Sequence, residues 1–227
     1  MIKRKLSNGD LFLLIANILP VYGVWFQQWD PNQVFLVYCM ETVIIGAFTL
    51  LKLFIQTLAK RTDLWENQGA TKYVSGVFFM FFFLLHYGMF VAIQTTMFLK
   101  LSPVSKDTTL LDLILNPGLY LGANGILMLS AFIFGYGYEN MTGFIMKNEY
   151  QTKPMMRVMF EPYPRIFIQQ FTVIFGAFFL MFGAGKVFIL VFAAVKTWFT
   201  IFIDYEAVMR KAKFADPVTQ DSKSSHS

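Results

Sequence analysis

Six long apolar runs separated by short polar segments dominate this chain, and the pattern predicts an all-α protein. The runs are Leu11 to Gln28, Val34 to Ala59, Tyr73 to Leu99, Leu119 to about Tyr138, Arg165 to Phe182 and Val187 to Tyr205. Each supplies the roughly 17–25 residues that a helix rising 1.5 Å per residue needs to cross a hydrocarbon core of about 30 Å. The expected architecture is a polytopic membrane helical bundle of six transmembrane helices, one domain over residues 1–213. A disordered tail is expected over 214–227, where the chain ends in Ser, Lys and His.

Composition narrows the class further. Hydrophobic residues make up 56% of the chain and charged ones 15%, with 27 Phe, leaving too little polar surface for a soluble domain. The single cysteine, Cys39, excludes an intramolecular disulfide and a thiolate metal cluster. Lys3, Arg4 and Lys5 precede the first run, but no small-x-small cleavage pattern follows, so that run is expected to be a retained span.

Lys and Arg outside the runs set the expected orientation. Thirteen fall on the side of the two termini and the second and fourth loops, against Lys100, Lys106 and Lys186 on the other. The positive-inside rule then puts both termini in the cytoplasm, in a bacterial inner membrane. The net charge of +5 describes a basic cytoplasmic face suited to anionic lipids. No folded basic module points to nucleic acid.

Three connections carry local signals. Trp29-Asp30-Pro31-Asn32 reads as a tight turn, which would make the first two spans antiparallel neighbours. Leucines around Asp112, between Ser102 and Pro117, predict a short surface helix. In Glu161-Pro162-Tyr163-Pro164-Arg165, Pro164 forbids an upstream helix from continuing and leaves Arg165 in the first turn of the fifth span.

Candidate chemistry lies in the polar residues inside the runs, where an ionisable group costs roughly 2.5–3.5 kcal/mol and persists when it is paired, hydrated or used. These are Glu41 and Lys52 in the second run, His86 and Gln94 in the third, and Asn124 in the fourth. Arg165, Gln169 and Gln170 lie in the fifth, and Lys196 and Asp204 in the sixth. The second and sixth runs descend in the same direction. Glu41 and Lys196 then lie roughly 10 and 14 Å below the outer surface, Lys52 and Asp204 roughly 27 and 25 Å. The matched levels predict two ion pairs, Glu41 with Lys196 and Lys52 with Asp204, forming a polar seam. His86, at mid-span, reads as a hydrogen-bonded core histidine, a proton carrier or a ligand. Gln169, Gln170 and Asn124 read as interhelical hydrogen-bonding groups, and Gly176, Gly122 and Gly125 as points of close helix approach.

Three stretches together resemble an uncharacterised family of prokaryotic multi-pass membrane proteins, a domain-of-unknown-function family. They are Tyr38-Cys39-Met40-Glu41 with Val43-Ile44-Ile45-Gly46 and Lys52; Phe82 through Phe90, which includes His86; and Pro162-Tyr163-Pro164-Arg165-Ile166, with Ile174, Gly176, Val195 and Lys196 downstream. The resemblance covers residues 10–206 and implies fold and topology without an activity. Its pattern carries further histidines where this chain has Tyr136, Gln170 and Asp204, leaving a thin ligand set for a metal. Separately, Gly122-Ala123-Asn124-Gly125 is similar to the G-x-S-G nucleophile site of rhomboid intramembrane proteases, with Asn124 in place of Ser. Without a nucleophile, or a histidine in the sixth run, Ser/His catalysis cannot be assembled.

The leading functional expectation is translocation of a small ion or solute through a polar intramembrane seam of Glu41, His86, Lys196, Lys52 and Asp204. The alternatives are a non-transporting scaffold or binder of membrane helices, including a catalytically dead rhomboid-like protein, and an intramembrane metal-assisted enzyme. The enzyme ranks below the other two because no H-E-x-x-H, paired cysteines or serine near a base is present. The expected partners are the bilayer, its anionic lipids, and a second copy or another membrane protein. The sequence specifies no cofactor.

Overall fold

The computed structural model describes residues 8–67, 70–101 and 108–202. Helix α1 spans Asn8–Phe26, α2 Pro31–Lys60, α3 Gly76–Leu101 and α5 Pro117–Glu139, with the short α4 at Leu110–Leu115. A π-helix, Asn140–Ile145, extends α5; α6 (Glu149–Thr152) and α7 (Met155–Phe160) follow, then α8 (Tyr163–Met181) and α9 (Gly185–Phe202). Among the described residues, three helices, α2, α3 and α5 with its π-helical extension, are long and apolar enough to cross a membrane. The tail at 214–227 and Asp204 lie outside the described residues.

Helix α2 begins where its sequence directs. Asp30 caps it, Oδ1 accepting from the Asn32 backbone N–H at 2.9 Å, and Pro31 occupies the first turn, where no donor is lost. Nearly every residue from Val34 to Ile45 is buried, as expected of a helix apolar on all sides. Phe98 of α3, Phe132 of α5, and Phe188 and Phe192 of α9 surround this half. Phe35 meets Phe188 at 5.2 Å between ring centroids and Tyr38 meets Phe192 at 4.5 Å. Because rising numbers pair with rising numbers, α2 and α9 run the same way.

The tight turn does not make α1 the neighbour of α2. Instead α1 packs mainly against α5 and α9. The Trp29 ring folds back against Gly23, and its backbone N–H bonds the Gly23 carbonyl at 3.0 Å, so the turn closes on the end of α1. The flanks of α2 are taken by the aromatic side chains of α3, α5 and α9.

Two elements depart from the expected pattern. Strands β1 (Thr62–Asn67) and β2 (Ala70–Ser75) form an antiparallel hairpin where the third apolar run was expected to begin, so α3 starts at Gly76 rather than Tyr73. Thr, Trp, Tyr and Val favour a half-buried strand, and Trp65 packs onto Phe78, Phe79 and Phe82 of α3. Inside α5, Gly122 adopts φ +61° and ψ −177°, a break that an L side chain would resist.

Other expectations hold. The helix around Asp112 is α4, closed by a capping box in which the Asp112 backbone N–H donates to Thr109 Oγ1 and the Thr109 backbone N–H to Asp112 Oδ2. The Thr109 hydroxyl and backbone N–H hold the Asp112 carboxyl below the usual carboxylate range. Arg165 lies in the first turn of α8. A Cβ on Gly176 would enter the rings of Phe35 and Phe188, so glycine there permits α8 to approach α2 and α9.

Candidate functional site

Buried polar residues concentrate on two helices. Thr42, Thr49 and Gln56, spaced by seven, form a stripe along α2 beside Glu41, and Gln94 and Thr95 lie on α3. Glu41 is fully buried, and the Tyr136 hydroxyl of α5 donates to its Oε1 at 2.8 Å. Away from water, such a hydrogen bond is stronger than the same bond in solvent.

Tyr136 also faces inward. Together with Thr49, Lys52, Glu139, Asn140, Glu161 and Arg165 it lines a polar pocket of about 40 Å³. At roughly 10–15 Å³ per water, that pocket has room for about three or four water molecules. The π-helix positions one of its walls: Asn140 Nδ2 donates to the Tyr136 carbonyl at 2.7 Å, while Asn140 Oδ1 is buried with no hydrogen-bond partner among the described residues. Single π turns in α-helices are frequent at functional sites. The Arg165 guanidinium lies 5.9 Å from the centroid of the Tyr136 ring and 3.8 Å from Glu139 Oε1.

Glu161 organises the inner rim. Lys52 Nζ lies 3.5 Å from its Oε2 and Lys153 Nζ 3.3 Å from its Oε1. The Lys153 carbonyl accepts from Gln56 Nε2 at 2.6 Å and from Lys60 Nζ at 2.9 Å, which fastens the loop to the end of α2. Burial pushes the Glu161 carboxyl up, but Lys52, Lys153 and Arg165 outweigh it and hold the group down at about 2, against an ordinary 4.5. A carboxyl depressed by folding stabilises the protein fully above pH 4.5, and that contribution is lost as the pH falls through 2. The thermal midpoint in detergent is therefore expected to drop between pH 4.5 and 2 in the native chain. The drop should be smaller in Glu161→Gln; equal slopes would show that Glu161 is not the group responsible.

The expected site residues separate into distinct places. Lys52 has a partner in Glu161, a residue of the loop before α8; Asp204, its expected partner, lies outside the described residues. His86 does not join Glu41. Its Nδ1 shares a 2.6 Å hydrogen bond with the Tyr163 hydroxyl, and Phe82 and Phe90 pack on its ring. The adjacent Tyr87 instead faces α2 and donates to the Thr42 carbonyl at 2.8 Å. Gln170 lines a largely apolar groove of about 310 Å³ with Phe90, Tyr163 and Phe167. Asn124 is exposed. The side chains of Lys196 and Gln169 lie outside the described residues, although both positions fall within helices. No group of three His, Cys, Asp or Glu residues able to hold a metal occurs among the described residues.

Sequence reasoning missed Glu139, Glu161, Lys153 and Tyr163, and met Tyr136 only as a position where the resembled family carries histidine. One signal was available: Tyr136, Glu139 and Asn140 share a helical face by their spacing of three and four. No curated protein and no solved structure matches the chain. One family model matches residues 3–220, and its description is a family of unknown function, DUF6498.

Proposed function

The chain belongs to the DUF6498 family, a family of unknown function, and for this member we propose translocation of a small cation, in the simplest case a proton, through Glu41. The observation that carries this reading is the double position of Tyr136. Its hydroxyl holds the buried Glu41 carboxylate, and its side chain borders the polar pocket at the inner end. A carboxylate joined to a hydrated pocket by one hydroxyl has a route for proton exchange with one side of the membrane. Outward of Glu41, Phe35, Tyr38, Phe132 and Phe192 pack together, which corresponds to a state closed to the outside.

This reading takes all six long helices as spans, including α1, α8 and α9, with both termini on the cytoplasmic side of a bacterial inner membrane. Support comes from the thirteen-to-three distribution of Lys and Arg. It also retains Lys196 as the counter-charge. The register Phe35 to Phe188 and Tyr38 to Phe192 leads, one turn further, from Glu41 to the Lys196 position.

Proteoliposomes containing the purified chain and a pH-sensitive dye are expected to dissipate an imposed proton gradient, and Glu41→Gln to lower that flux at least tenfold while eluting as a folded protein. Native flux no greater than that of empty vesicles, tested also with Na⁺ and K⁺, would remove the translocation reading. The scaffold reading would then gain, and the apolar groove beside His86 is the observation that favours it.

A further inference from the structure

Outward of the Glu41 and Tyr136 pair lies a second polar cluster, between α2 and α3. On α3, the residues Tyr87, Val91, Gln94, Thr95 and Phe98 are all buried and recur at spacings of three and four, forming the stripe that faces α2. Two contacts fix the register of the antiparallel pair. Tyr87 donates to the Thr42 carbonyl at 2.8 Å, and Phe98 stacks on Phe35 at 5.7 Å. Gln94 and Thr95 fall between these contacts, and the Gln94 amide lies beside the Cys39 thiol without reaching hydrogen-bond geometry.

Gln94 and Thr95 are fully buried, yet Gln94 Nε2, Gln94 Oε1 and Thr95 Oγ1 have no hydrogen-bond partner among the described residues. Three neighbouring polar atoms left unsatisfied in a membrane protein's core are costly, because lipid offers them nothing. The Thr42 hydroxyl is already committed, donating to the Cys39 carbonyl at 2.6 Å. Phe35 and Phe98 close the cluster on its outer side, and Tyr87, packed so tightly that a Cβ on Gly46 would lie 2.7 Å from its ring, closes it on the inner side.

We propose that Gln94, Thr95 and Cys39 form a closed binding site for water in the outer half of the bundle. The donor set selects the guest. A cation would satisfy Gln94 Oε1 and Thr95 Oγ1 but repel the Gln94 amide N–H groups, and an anion would accept from those N–H groups and the Thr95 hydroxyl but repel Gln94 Oε1. Water both donates and accepts, so it suits the Gln94 amide and the Thr95 hydroxyl alike. Its role as the outward station of a proton path rests on the translocation reading for Glu41; its existence as a water site does not.

Cys39 is the only cysteine in the chain, so its S–H stretching band in the infrared belongs to one residue and reports on this site. On transfer of the detergent-purified full chain to D₂O, conversion of that S–H to S–D is expected at least tenfold faster in the native chain than in Gln94→Leu. Thr95→Val, which keeps the side-chain volume, should slow it in the same direction and serves if Gln94→Leu fails to fold. A native S–H band that persists after prolonged D₂O exposure, or equal exchange in the native chain and a folded variant, would overturn the water site. In proteoliposomes Gln94→Leu, or Thr95→Val in its place, is expected to lower proton flux at least tenfold. Unchanged flux alongside slowed exchange would overturn the outward station, whereas flux insensitive to Glu41→Gln would count against the translocation reading itself.

Discussion

Reversing either charge alone, Glu41→Lys or Lys196→Glu, is expected to abolish recovery of folded protein, and reversing both together to restore it. The expected loss is large because Glu41 has no exposed surface and receives the Tyr136 hydroxyl. Removing one partner of a buried pair leaves an uncompensated charge and costs about 3–5 kcal/mol, a large share of the stability of an ordinary domain. The helix register proposed for α2 and α9 makes Lys196 the compensating position. Membrane yield and monodisperse elution of the two single variants and the double variant are the readouts. A double variant no better than the singles would dissolve the pairing and leave Tyr136 as the identified partner of Glu41.

Tyr136→Phe is expected to have the second largest effect. It removes one oxygen and leaves the ring in place beneath Arg165, so packing is conserved while the bond to Glu41 is lost. A hydrogen bond to a charged acceptor contributes about 1.5–3 kcal/mol, and the carboxylate left behind remains without water. The expected result is a lowered thermal midpoint in detergent. In a double-mutant cycle with Glu41→Gln, a coupling of at least about 1 kcal/mol should appear between the two sites. Additive effects would mean that the 2.8 Å contact contributes nothing of its own.

Much of the architecture could be read from the sequence because long apolar helices write their length and polarity directly into it. The turn read at Trp29 to Asn32 ends in the cap of α2, the leucines around Asp112 marked α4, and Pro164 marked the start of α8. The neighbours of α1 could not be read, because a turn fixes where two helices join but not which face each buries. Nor could the hairpin at Thr62–Ser75, where Val74 and the following aromatic run belong to one continuous apolar stretch.

The site was legible in part. Glu41 stands out as an acid in an apolar run, and the structure buries it completely. Its partner Tyr136 lies 95 residues away, and a tyrosine in a run rich in aromatic residues carries no distinguishing mark. His86 looked equally conspicuous, yet it faces Tyr163, because Tyr87, one residue on, takes the face toward α2. Lys52 was matched to a distant aspartate by depth alone. The loop before α8, folded into α6 and α7, brings Glu161 to it, a contact that depth along a helix does not reveal.

The central claim is that Glu41 exchanges a proton with the inner side through Tyr136. Infrared difference spectra of the reconstituted chain, recorded as the pH on the inner side is lowered, test it at the group concerned. The expected result is a carboxylic acid C=O band that grows on acidification, is absent in Glu41→Gln and is delayed in Tyr136→Phe. A spectrum with no band assignable to Glu41 at any pH where the protein stays folded would contradict it.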